Sequence, residues 1–600
     1  MKCSLILVII CFTQITFSQQ SDLITNIEGR KTTSLNGYWK IIIDPYENGF
    51  YNYRYEENPN GYFKNQKPKS KSDLVEYNFD KSDSLIVPGD WNTQQEKLFL
   101  YEGTIWYKKD FDYHLEPGKR LYVYFGAANY KAIVYLNGTK LGEHEGGFTP
   151  FDFEITNLVN EKGNFIVVKV DDKRSREYVP TVNTDWWNYG GITRDVYLVE
   201  VPKTYIKDYF IQLDKNLDNT ISGWLQLEGE KTKQNIQIEI PRLEKTFSIE
   251  SDETGLSKFR FNAKLDLWSP ENPELYDISI KSETDSVNEK IGFRSIEAKD
   301  GKILLNGKPI FLRGISYHEE SPTTGGRANS REDAQTVLDR VKELNGNYIR
   351  LAHYPHNENM LRLADEMGIL VWSEIPVYWT VLWDNEASFK SALNQLDEMI
   401  TRDKNRASII LWSVANETPR KDKRLIFLKR LIDRARELDG TRLITAAFEN
   451  HYINDSTIVM DDPIGKYLDV TGLNDYLGWY DGLPDKITKT HYKTIYNKPI
   501  IISEFGAGAL QGYHGDKLTR WTEEYQAYTY EMQCKLMKRI PHLSGMTPWI
   551  LFDFRSPRRL LPGIQDFYNR KGIISDKGNK KKAFYILKNF YEDVKKNRLY

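Results

Sequence analysis

Two different patterns of hydrophobic and polar positions divide the chain. From about residue 20 to about residue 295, apolar and polar residues alternate over short segments that end in turn residues, as at 120–125 and 236–240. A period of two is typical of antiparallel strands joined by hairpins. We therefore expect a β jelly-roll sandwich over residues 19–200 and a smaller immunoglobulin-like β-sandwich over 201–295, whose expected role is to orient its neighbours.

After Gly301 the period changes to that of helices. Apolar residues three and four positions apart, such as Ala334, Val337 and Leu338, alternate with short runs that are apolar throughout. Eight such strand-and-helix units over about 300 residues predict a (β/α)8 TIM barrel for residues 296–600. The eight runs predicted to be its parallel strands lie near 311–314, 348–351, 370–374, 409–415, 443–446, 470–473, 500–503 and 546–550.

Two glutamates stand at the ends of the fourth and seventh of these runs. Glu417 follows the run at 409–415, and Glu504 follows the run at 500–503. In TIM barrels the chemistry gathers at the carboxyl ends of the strands. A retaining glycosidase needs two carboxyl groups about 5 to 5.5 Å apart, one ionised and one protonated. The alternative is that each glutamate pairs with an arginine at a strand end.

Other polar and aromatic residues are predicted to reach the same mouth of the barrel. Each of them stands at or just beyond the end of a predicted strand. They are Arg350, His353, Glu374, Asn474 and Trp549. We expect these side chains to surround the two glutamates.

Composition narrows the range of partners. A chain of 600 residues is too long for a single core, so three or more domains are expected. Aromatic residues make up 13%, which suits a site that stacks on sugar rings. The net charge of -2 gives no reason to expect nucleic acid or an anionic membrane as a partner. The glutamates and histidines are scattered, without the spacing of a metal site, and the retaining mechanism needs no cofactor.

The first 18 residues read as a signal peptide. A basic start, a short apolar stretch and small residues before Gln19 predict cleavage after Ser18 and export, with no membrane insertion. Cleavage would remove Cys3 and Cys11 and leave Cys534 as the one cysteine, so no internal disulfide is expected. Asn416 lies in an N-glycosylation motif, and a glycan there would obstruct the site. This favours a bacterial periplasm, with secretion as the second expectation.

Several segments carry a resemblance to a known family. Residues 305–309, 350–355, 416–417 and 503–506 of the barrel region, and 146–151 and 185–194 of the first domain, resemble those of glycoside hydrolase family 2. The likeness covers nearly the whole chain after the signal peptide. It implies a jelly roll similar to the family's sugar-binding domain, with Glu417 as the acid/base and Glu504 as the nucleophile.

Within this family the chain most resembles the β-glucuronidases, because residues 474–480 and 569–572 match their motifs. The resemblance implies that Asn569 and Lys571 contact the C6 carboxylate of the sugar. A lysine ammonium supplies a full positive charge and an asparagine a neutral donor, so an anion is favoured over a CH2OH group. The alternative is a solvated turn, because lysines continue through Lys577, Lys580 and Lys582.

The resemblance also assigns substrate contacts to other residues at matching motifs. They are Asp185, His318, Asn416, Asn474, Tyr480 and Trp549. Asp185 could equally serve as a cap or a turn residue. His318 could be a strand-end histidine whose neighbours satisfy it, and Trp549 a core aromatic.

One feature departs from the family pattern. The β-glucuronidases often place an arginine a few residues before Asn-x-Lys, whereas residues 565–568 here are Gln-Asp-Phe-Tyr. Arg555, Arg558 and Arg559 lie further upstream, and the sequence does not decide which of them substitutes. Asp566 near a carboxylate pocket would repel a uronate unless it pairs with an arginine or points elsewhere.

These observations predict an exo-acting retaining β-glucuronidase that releases terminal β-linked glucuronic acid from an oligosaccharide or conjugate. The alternative within the family is a β-galactosidase or another β-hexosidase, for which Lys571 would be incidental. The alternative of another class is a carbohydrate-binding protein without turnover, although the presence of both glutamates argues against it. The sequence leaves the natural substrate open, and it also leaves open whether the protein forms a homo-oligomer.

Overall fold

The structure, a computed structural model, confirms the predicted fold class of two β-sandwiches followed by a barrel. The predicted signal peptide lies outside the residues that the structure describes. Those residues are 23–597 without 59–60, 64–67, 69, 74, 76 and 216–218.

The first domain is an antiparallel sandwich of two sheets. Its strands are β1 (Lys31–Ser34), β2 (Gly37–Ile43), β3 (Ser84–Val87), β4 (Thr104–Phe111), β5 (Lys119–Phe125), β6 (Lys131–Leu136), β7 (Thr139–Glu145), β8 (Phe151–Glu154), β9 (Asn164–Asp171) and β10 (Val196–Pro202). The order in one sheet is β1-β10-β5-β8 and in the other β3-β2-β4-β9-β6-β7. Alternate residues such as Trp39, Tyr107 and Val123 fill the core between the sheets. The long loop 172–195 leaves this domain and reaches the barrel, where the backbone N–H of Trp187 donates to the Arg555 carbonyl at 3.1 Å.

The second domain is a smaller sandwich of seven strands. They are β11 (Tyr205–Leu213), β12 (Thr220–Glu228), β13 (Asn235–Ile240), β14 (Lys245–Glu250), β15 (Leu256–Asn262), β16 (Tyr276–Lys281) and β17 (Ser286–Ile291). The sheets have the orders β11-β12-β15 and β14-β13-β16-β17. Buried ion pairs fasten this domain to the barrel, with Lys404 Nζ at 2.7 Å from Asp208 Oδ1 and Arg406 Nη2 at 2.9 Å from Glu289 Oε2.

A three-stranded antiparallel sheet closes the amino-terminal end of the barrel. It consists of β18 (Ile296–Lys299), β19 (Lys302–Leu305) and β20 (Lys308–Pro309). Ile303 and Leu305 share one core cluster with Leu312, Leu370 and Ile501, which lie at the beginnings of barrel strands. The opposite end, where the strands finish, is left for the functional site.

Eight parallel strands close into the barrel in the order β21-β22-β23-β24-β25-β28-β30-β31. The strands of this domain are β21 (Leu312–His318), β22 (Tyr348–Ala352), β23 (Leu370–Glu374), β24 (Ile409–Asn416), β25 (Leu443–Glu449), β26 (Tyr452–Asn454), β27 (Thr457–Met460), β28 (Thr471–Asn474), β29 (His491–Thr494), β30 (Ile500–Glu504), β31 (Leu543–Met546), β32 (Phe554–Arg555) and β33 (Tyr568–Asn569). Strands β26, β27 and β29 form a small separate sheet, and β32 pairs with β33.

Helices surround the barrel strands. They are α1 (Arg331–Glu343), α2 (Glu358–Met367), α3 (Glu386–Asp403), α4 (Asp422–Leu438), α5 (Lys486–Lys489), α6 (Glu523–Met537) and α7 (Lys582–Asn597). Single-turn 3-10 helices lie at Phe79–Lys81, Glu96–Leu98, Pro241–Leu243 and Pro463–Lys466. In the part of the chain that the structure describes, no helix is both long enough and apolar enough to cross a bilayer.

The predicted position of the eighth strand was wrong. The strand runs over Leu543–Met546 instead of 546–550. Gly545 is paired with Leu312 of the first strand, and a Cβ at Gly545 would lie 2.5 Å from that of Leu312. The closing contact of the barrel therefore requires a residue without a side chain, which weakens the apolar signal. The more apolar residues after Pro548 lie beyond the strand, at the mouth.

Candidate active site

The two glutamates stand at the carboxyl ends of two barrel strands, with β25 and β28 between them. Glu504 is the last residue of β30, and Glu417 comes directly after β24. Glu417 has a φ of 48°, which is uncommon for a residue with a side chain and is often found at functional sites. Its backbone N–H donates to the Ala447 carbonyl of β25 at 2.9 Å, which fixes the turn.

Glu504 is held by two donors. Arg350 Nη1 donates to its Oε1 at 2.8 Å, and the Tyr476 hydroxyl donates to its Oε2 at 2.7 Å. Both donors stabilise the carboxylate rather than the carboxylic acid. The side chain is buried, so an ionised Glu504 has little competing water and is oriented for attack on a carbon atom.

Arg350 lies between two carboxylates. It is fully buried on β22, and its Nη2 donates to Glu374 Oε1 at 3.0 Å. Burial would raise the pKa of Glu374, but the charge of Arg350 and a hydrogen bond with His353 hold that pKa at about 2. The Nε2 atom of His353 lies 3.8 Å from Glu504 Oε1. The predicted convergence of Arg350, His353 and Glu374 on this mouth is what the structure shows.

Glu417 has the opposite environment. Burial of the carboxyl group, together with the negative charge of Glu504, raises the pKa of Glu417 to about 7. Trp379 Nε1 donates to Glu417 Oε2 at 2.8 Å and opposes this shift without cancelling it. A carboxyl group with such a pKa can carry a proton at neutral pH and can also lose it, as an acid/base must.

Two asparagines connect these groups. Asn416 Oδ1 accepts from Arg350 Nη2 at 2.7 Å and from Asn474 Nδ2 at 3.2 Å. The Ser503 hydroxyl donates to Asn474 Oδ1 at 2.7 Å. The Nδ2 atom of Asn416 is buried and has no hydrogen-bond partner within the described chain. An unpaired buried donor in the residue next to Glu417 is suited to a hydroxyl group of a bound sugar.

A positively charged pocket adjoins the glutamates. Lys571 is buried, and its Nζ donates to the Tyr480 hydroxyl at 2.7 Å. The same Nζ lies 5.4 Å from the ring centre of Tyr476, whose hydroxyl holds Glu504. Asn569 is also buried, and its Oδ1 accepts from the backbone N–H of Lys571 at 3.2 Å. One side chain, that of Tyr476, thus separates Lys571 of the Asn-x-Lys element from the candidate nucleophile.

Arg559 belongs to this pocket, which the sequence did not reveal. Its Nε donates to Asp185 Oδ1 at 3.0 Å, and its Nη2 pairs with Oδ2 of the same carboxylate. Asn569 Nδ2 donates to Asp185 Oδ2 at 3.2 Å. The Tyr480 side chain is exposed, and the charges of Lys571 and Arg559 lower the pKa of its hydroxyl.

The other upstream arginines lie elsewhere. The guanidinium of Arg558 lies 4.9 Å from the ring centre of Trp379, and that of Arg555 lies 5.2 Å from the ring centre of Phe99. Asp566 is exposed, and its Oδ1 accepts from the Gly563 N–H at 3.0 Å. Asp566 therefore caps its own loop instead of entering the pocket.

His318 and Trp549 lie in the aromatic wall of the site. Trp549 stacks on His353, with ring centres 4.9 Å apart. His318 ends β21, and its Nδ1 lies 3.2 Å from the Tyr354 hydroxyl. Its Nε2 has no partner among the described residues. Burial and the nearby His353 put the pKa of His318 well below its ordinary value, so the ring is neutral.

A cavity of about 900 Å³ opens beside Glu417. Tyr476, Tyr480, Asn474 and Glu449 are among the residues that line it. Sequence reasoning did not single out Tyr476, which lies inside a quoted motif, or Trp379 and Glu449, for which no motif gives a signal. Within the described ranges, no group of three His, Cys, Asp or Glu side chains is placed to hold a metal ion.

Comparisons with known proteins agree with this geometry. Models of glycosyl hydrolases family 2 match residues 32–202 (sugar binding domain), 204–294 and 296–596 (TIM barrel domain). A β-glucuronidase of Rattus norvegicus is 30% identical over 84% of this chain and 84% of its own length. An uncultured Clostridium β-glucuronidase superposes with a TM-score of 0.81 at 26% identity, covering 96% of this chain and all of its own. The Ruminococcus gnavus β-glucuronidase in complex with D-glucuronic acid gives 0.78 at 25% identity, with the same coverage.

Proposed function

The chain belongs to glycoside hydrolase family 2 and is a glycosidase, and from this premise we propose that it is an exo-acting β-glucuronidase. It releases terminal β-linked glucuronic acid from oligosaccharides or conjugates with retention of configuration. The observation that carries the proposal is the buried Lys571, whose Nζ lies 5.4 Å from the ring centre of Tyr476, the tyrosine that holds Glu504.

In the first step Glu504 is the nucleophile. Its carboxylate oxygen forms a bond to the anomeric carbon while the bond from that carbon to the leaving oxygen breaks. Glu417 gives its proton to the leaving oxygen, which departs as a neutral alcohol. A pKa of about 7 leaves enough protonated Glu417 for this step at neutral pH. The product that stays bound is a glucuronosyl ester of Glu504.

In the second step Glu417 is the base. Its carboxylate takes a proton from a water molecule, and the water oxygen attacks the anomeric carbon as the ester bond to Glu504 breaks. Two inversions give overall retention, and both glutamates return to their starting protonation states. Arg350 and Tyr476 stabilise the Glu504 carboxylate when it leaves, because both donate hydrogen bonds to it.

The positive pocket supplies the sugar preference. Asp185 offsets the charge of Arg559, so the Lys571 ammonium remains to attract the uronate carboxylate. Loss of a charge-assisted hydrogen bond costs about 1.5 to 3 kcal/mol, which corresponds to a selectivity of one to two orders of magnitude. A neutral galactoside offers no charge to Lys571. The different surroundings of Glu417 and Glu504 suit an acid and a nucleophile, which favours an enzyme over a protein that only binds sugar.

The test compares two chromogenic substrates. We expect wild type to have a higher kcat/KM on p-nitrophenyl β-D-glucuronide than on the matching β-D-galactoside. Lys571→Ala should lower that preference by about one to two orders of magnitude, because the carboxylate loses its counter-charge. The matched control is Lys577→Ala, since Lys577 is exposed. A wild type that prefers the galactoside, with no effect of Lys571→Ala, would refute the glucuronide assignment.

We propose further that residues 1–18 direct export, with the bacterial periplasm as the first destination. The support is the order of basic, apolar and small residues before Gln19. Amino-terminal sequencing of protein from the periplasmic fraction should begin at Gln19. Recovery of the full chain beginning at Met1 from the cytoplasm would contradict this.

A further inference from the structure

Most of the residues around the cavity beside Glu417 take no part in bond cleavage. They come from the end of β25, the β26–β27 hairpin, the loop after β28 and the start of α5. Its volume of about 900 Å³ falls in the usual range for ligand sites, roughly 300 to 1,000 Å³. Such a volume next to a glycosidase acid is large enough for part of a substrate.

The position of the cavity identifies the part of the substrate that binds in it. Glu417 protonates the leaving oxygen, so the leaving group must lie against that side chain. The cavity wall includes Glu417 and shares Tyr476 and Tyr480 with the uronate pocket, whereas Lys571, Asn569 and Arg559 are not part of it. The cavity therefore extends from the acid on the leaving-group side of the bond that is cleaved.

The walls are polar. Besides three tyrosines, the one apolar side chain is Ile453, and the others include Asn450, Asn454 and Asn474. Sites for drug-like apolar molecules are lined mainly by hydrophobic side chains. Amides and tyrosines instead offer hydrogen bonds and ring faces to a polyhydroxylated sugar.

The walls also carry uncompensated negative charge. The lysine of the wall, Lys486, is bound to Asp481 at 2.5 Å, and the Tyr452 hydroxyl donates to the same aspartate. In the described part of the chain, Glu449 and Asp455 form no ion pair, and both face the cavity. These two carboxylates would repel an anionic ligand in the cavity.

The nearest arginines do not cancel this charge. Arg420 and Arg424 act on Glu449 from nearby, but each is engaged by another carboxylate. Arg420 pairs with Asp461 at 2.7 Å, and Arg424 pairs with Asp462 at 2.9 Å. The cavity is therefore negative, while the uronate pocket around Lys571 is positive.

We propose that this cavity binds an uncharged sugar as the unit that carries the leaving oxygen, and that it disfavours a sulfated or uronic sugar there. The inference rests on the proposed function and makes it more specific. The natural substrate is then an oligosaccharide in which terminal glucuronic acid is linked to a neutral sugar, rather than a lipophilic conjugate or a fragment sulfated at that unit.

The experiment uses three glucuronides that differ in the leaving group. They are methyl β-D-glucuronide, a β-glucuronosyl disaccharide with a neutral hexose, and the same disaccharide with a sulfate ester on that hexose. At low salt we expect kcat/KM to rise about tenfold from methyl β-D-glucuronide to the neutral disaccharide and to fall about tenfold when sulfate is added. At about 1 M salt, where the Debye length is about 3 Å, the sulfate effect should shrink severalfold.

The salt dependence of kcat/KM distinguishes electrostatic repulsion of the sulfate from a steric clash with it. A steric clash with the sulfate would give a gap that salt does not change, and that result would overturn the charge argument. A sulfated disaccharide cleaved as well as the neutral one would also overturn it. A neutral disaccharide no better than the methyl glucuronide would show that the cavity binds no sugar.

Variants test the residues. The double variant Glu449→Gln, Asp455→Asn should narrow the neutral-to-sulfated ratio severalfold, because the repelling charges are gone. The matched control changes exposed carboxylates on outer helices, Glu531→Gln with Asp593→Asn, and should leave the ratio unchanged. Melting curves establish that each variant is folded. An unchanged ratio in the folded double variant refutes the role of these two residues.

If the protein is not a β-glucuronidase, the measurements give a different result. Wild type would then hydrolyse p-nitrophenyl β-D-galactoside but not the glucuronide. The same neutral and sulfated hexoses attached to galactose would still test the cavity, since Lys571, Asn569 and Arg559 do not line it.

Discussion

At the scale of single residues, the site shows how surroundings give two identical carboxylic acids different roles. Glu504 accepts hydrogen bonds from Arg350 and Tyr476, which favour its ionised form. Glu417 lacks an ion pair in the described chain, and burial beside Glu504 raises its pKa to about 7. The roles of acid and nucleophile therefore follow from the neighbours of each side chain.

The pKa of Glu417 sets an alkaline limit on activity. The acid acts in its protonated form, and the protonated fraction falls as the pH rises through about 7. We expect kcat/KM on methyl β-D-glucuronide, whose leaving group needs protonation, to decline above about that pH. Trp379→Phe removes a hydrogen bond that lowers the pKa of Glu417, so the decline should move to higher pH. A pH profile of both proteins is the measurement, and an unmoved limit would contradict the assignment.

Arg559 gives a second prediction at this scale. Arg559→Ala would leave Asp185 without its ion-pair partner in the uronate pocket. The uncompensated carboxylate should repel the substrate and lower kcat/KM on p-nitrophenyl β-D-glucuronide by about two orders of magnitude. Activity on the galactoside should change much less. Arg176→Ala is the control, since Arg176 is exposed on the same loop as Asp185.

The sequence predicted part of this site and missed the rest for a physical reason. Glu417 and Glu504 were identifiable because each ends an apolar strand, and the Asn-x-Lys element is local in sequence. Arg559 was not identifiable as the partner of Asp185, since 374 positions separate the two residues. Their contact depends on two loops of different domains meeting, which no local pattern encodes.

At the scale of secondary-structure elements, the backbone conformation at Gly368 requires a glycine. It ends α2 with a φ of 67°, and a Cβ there would lie 2.9 Å from the Pro270 carbonyl oxygen. Gly368→Ala should lower the free energy of unfolding by about 2 kcal/mol, from the left-handed backbone and this contact. Denaturant unfolding measures the change.

Gly440 provides the comparison for Gly368. It follows α4, and the nearest atom to its added Cβ is 3.8 Å away. Gly440→Ala should therefore change the stability by less than about 0.5 kcal/mol. Equal losses for the two alanine variants would show that backbone conformation is not the cause.

Element prediction succeeded for long apolar runs and failed where geometry overrides hydrophobicity. Seven predicted barrel strands overlap the observed ones, because buried parallel strands are apolar on both faces. The eighth contains Ser544 and Gly545 where it closes against Leu312. Close packing removed the hydrophobic pattern on which the prediction depended.

At the scale of the whole molecule, buried charges hold the domains together. Lys404 of the barrel and Asp208 of the second domain are buried, and Lys404 Nζ lies 2.7 Å from both carboxylate oxygens. Asp208→Ala would leave a buried ammonium without this partner and should destabilise the protein by about 3 to 5 kcal/mol. Thermal and chemical unfolding measure the loss.

Two further variants show whether the effect comes from the stranded charge. Adding Lys404→Met to Asp208→Ala should recover much of the stability, since no buried charge remains. Asp266→Ala breaks an exposed pair with Arg242 and should cost less than about 1 kcal/mol. A double variant as unstable as Asp208→Ala alone would place the effect in packing instead.

Domain order could be predicted from the sequence, but domain contact could not. The change in hydrophobic period near Gly301 marks the start of the barrel region because strands and helices differ in period. The Asp208–Lys404 pair joins residues 196 positions apart, and neither residue stands in a recognisable pattern. Such contacts emerge once the separately predictable domains pack together.

Through the loop 172–195, the first domain contributes a residue to an active site that otherwise lies in the barrel domain. The barrel carries both glutamates, Lys571 and Arg559, yet the counter-ion of Arg559 is Asp185 of the first domain. A chimera of two relatives joined near residue 203 would inherit its bond-breaking residues from one parent and this counter-ion from the other. Recombination at the domain boundary can thus retune the choice of sugar while the catalytic barrel stays unaltered.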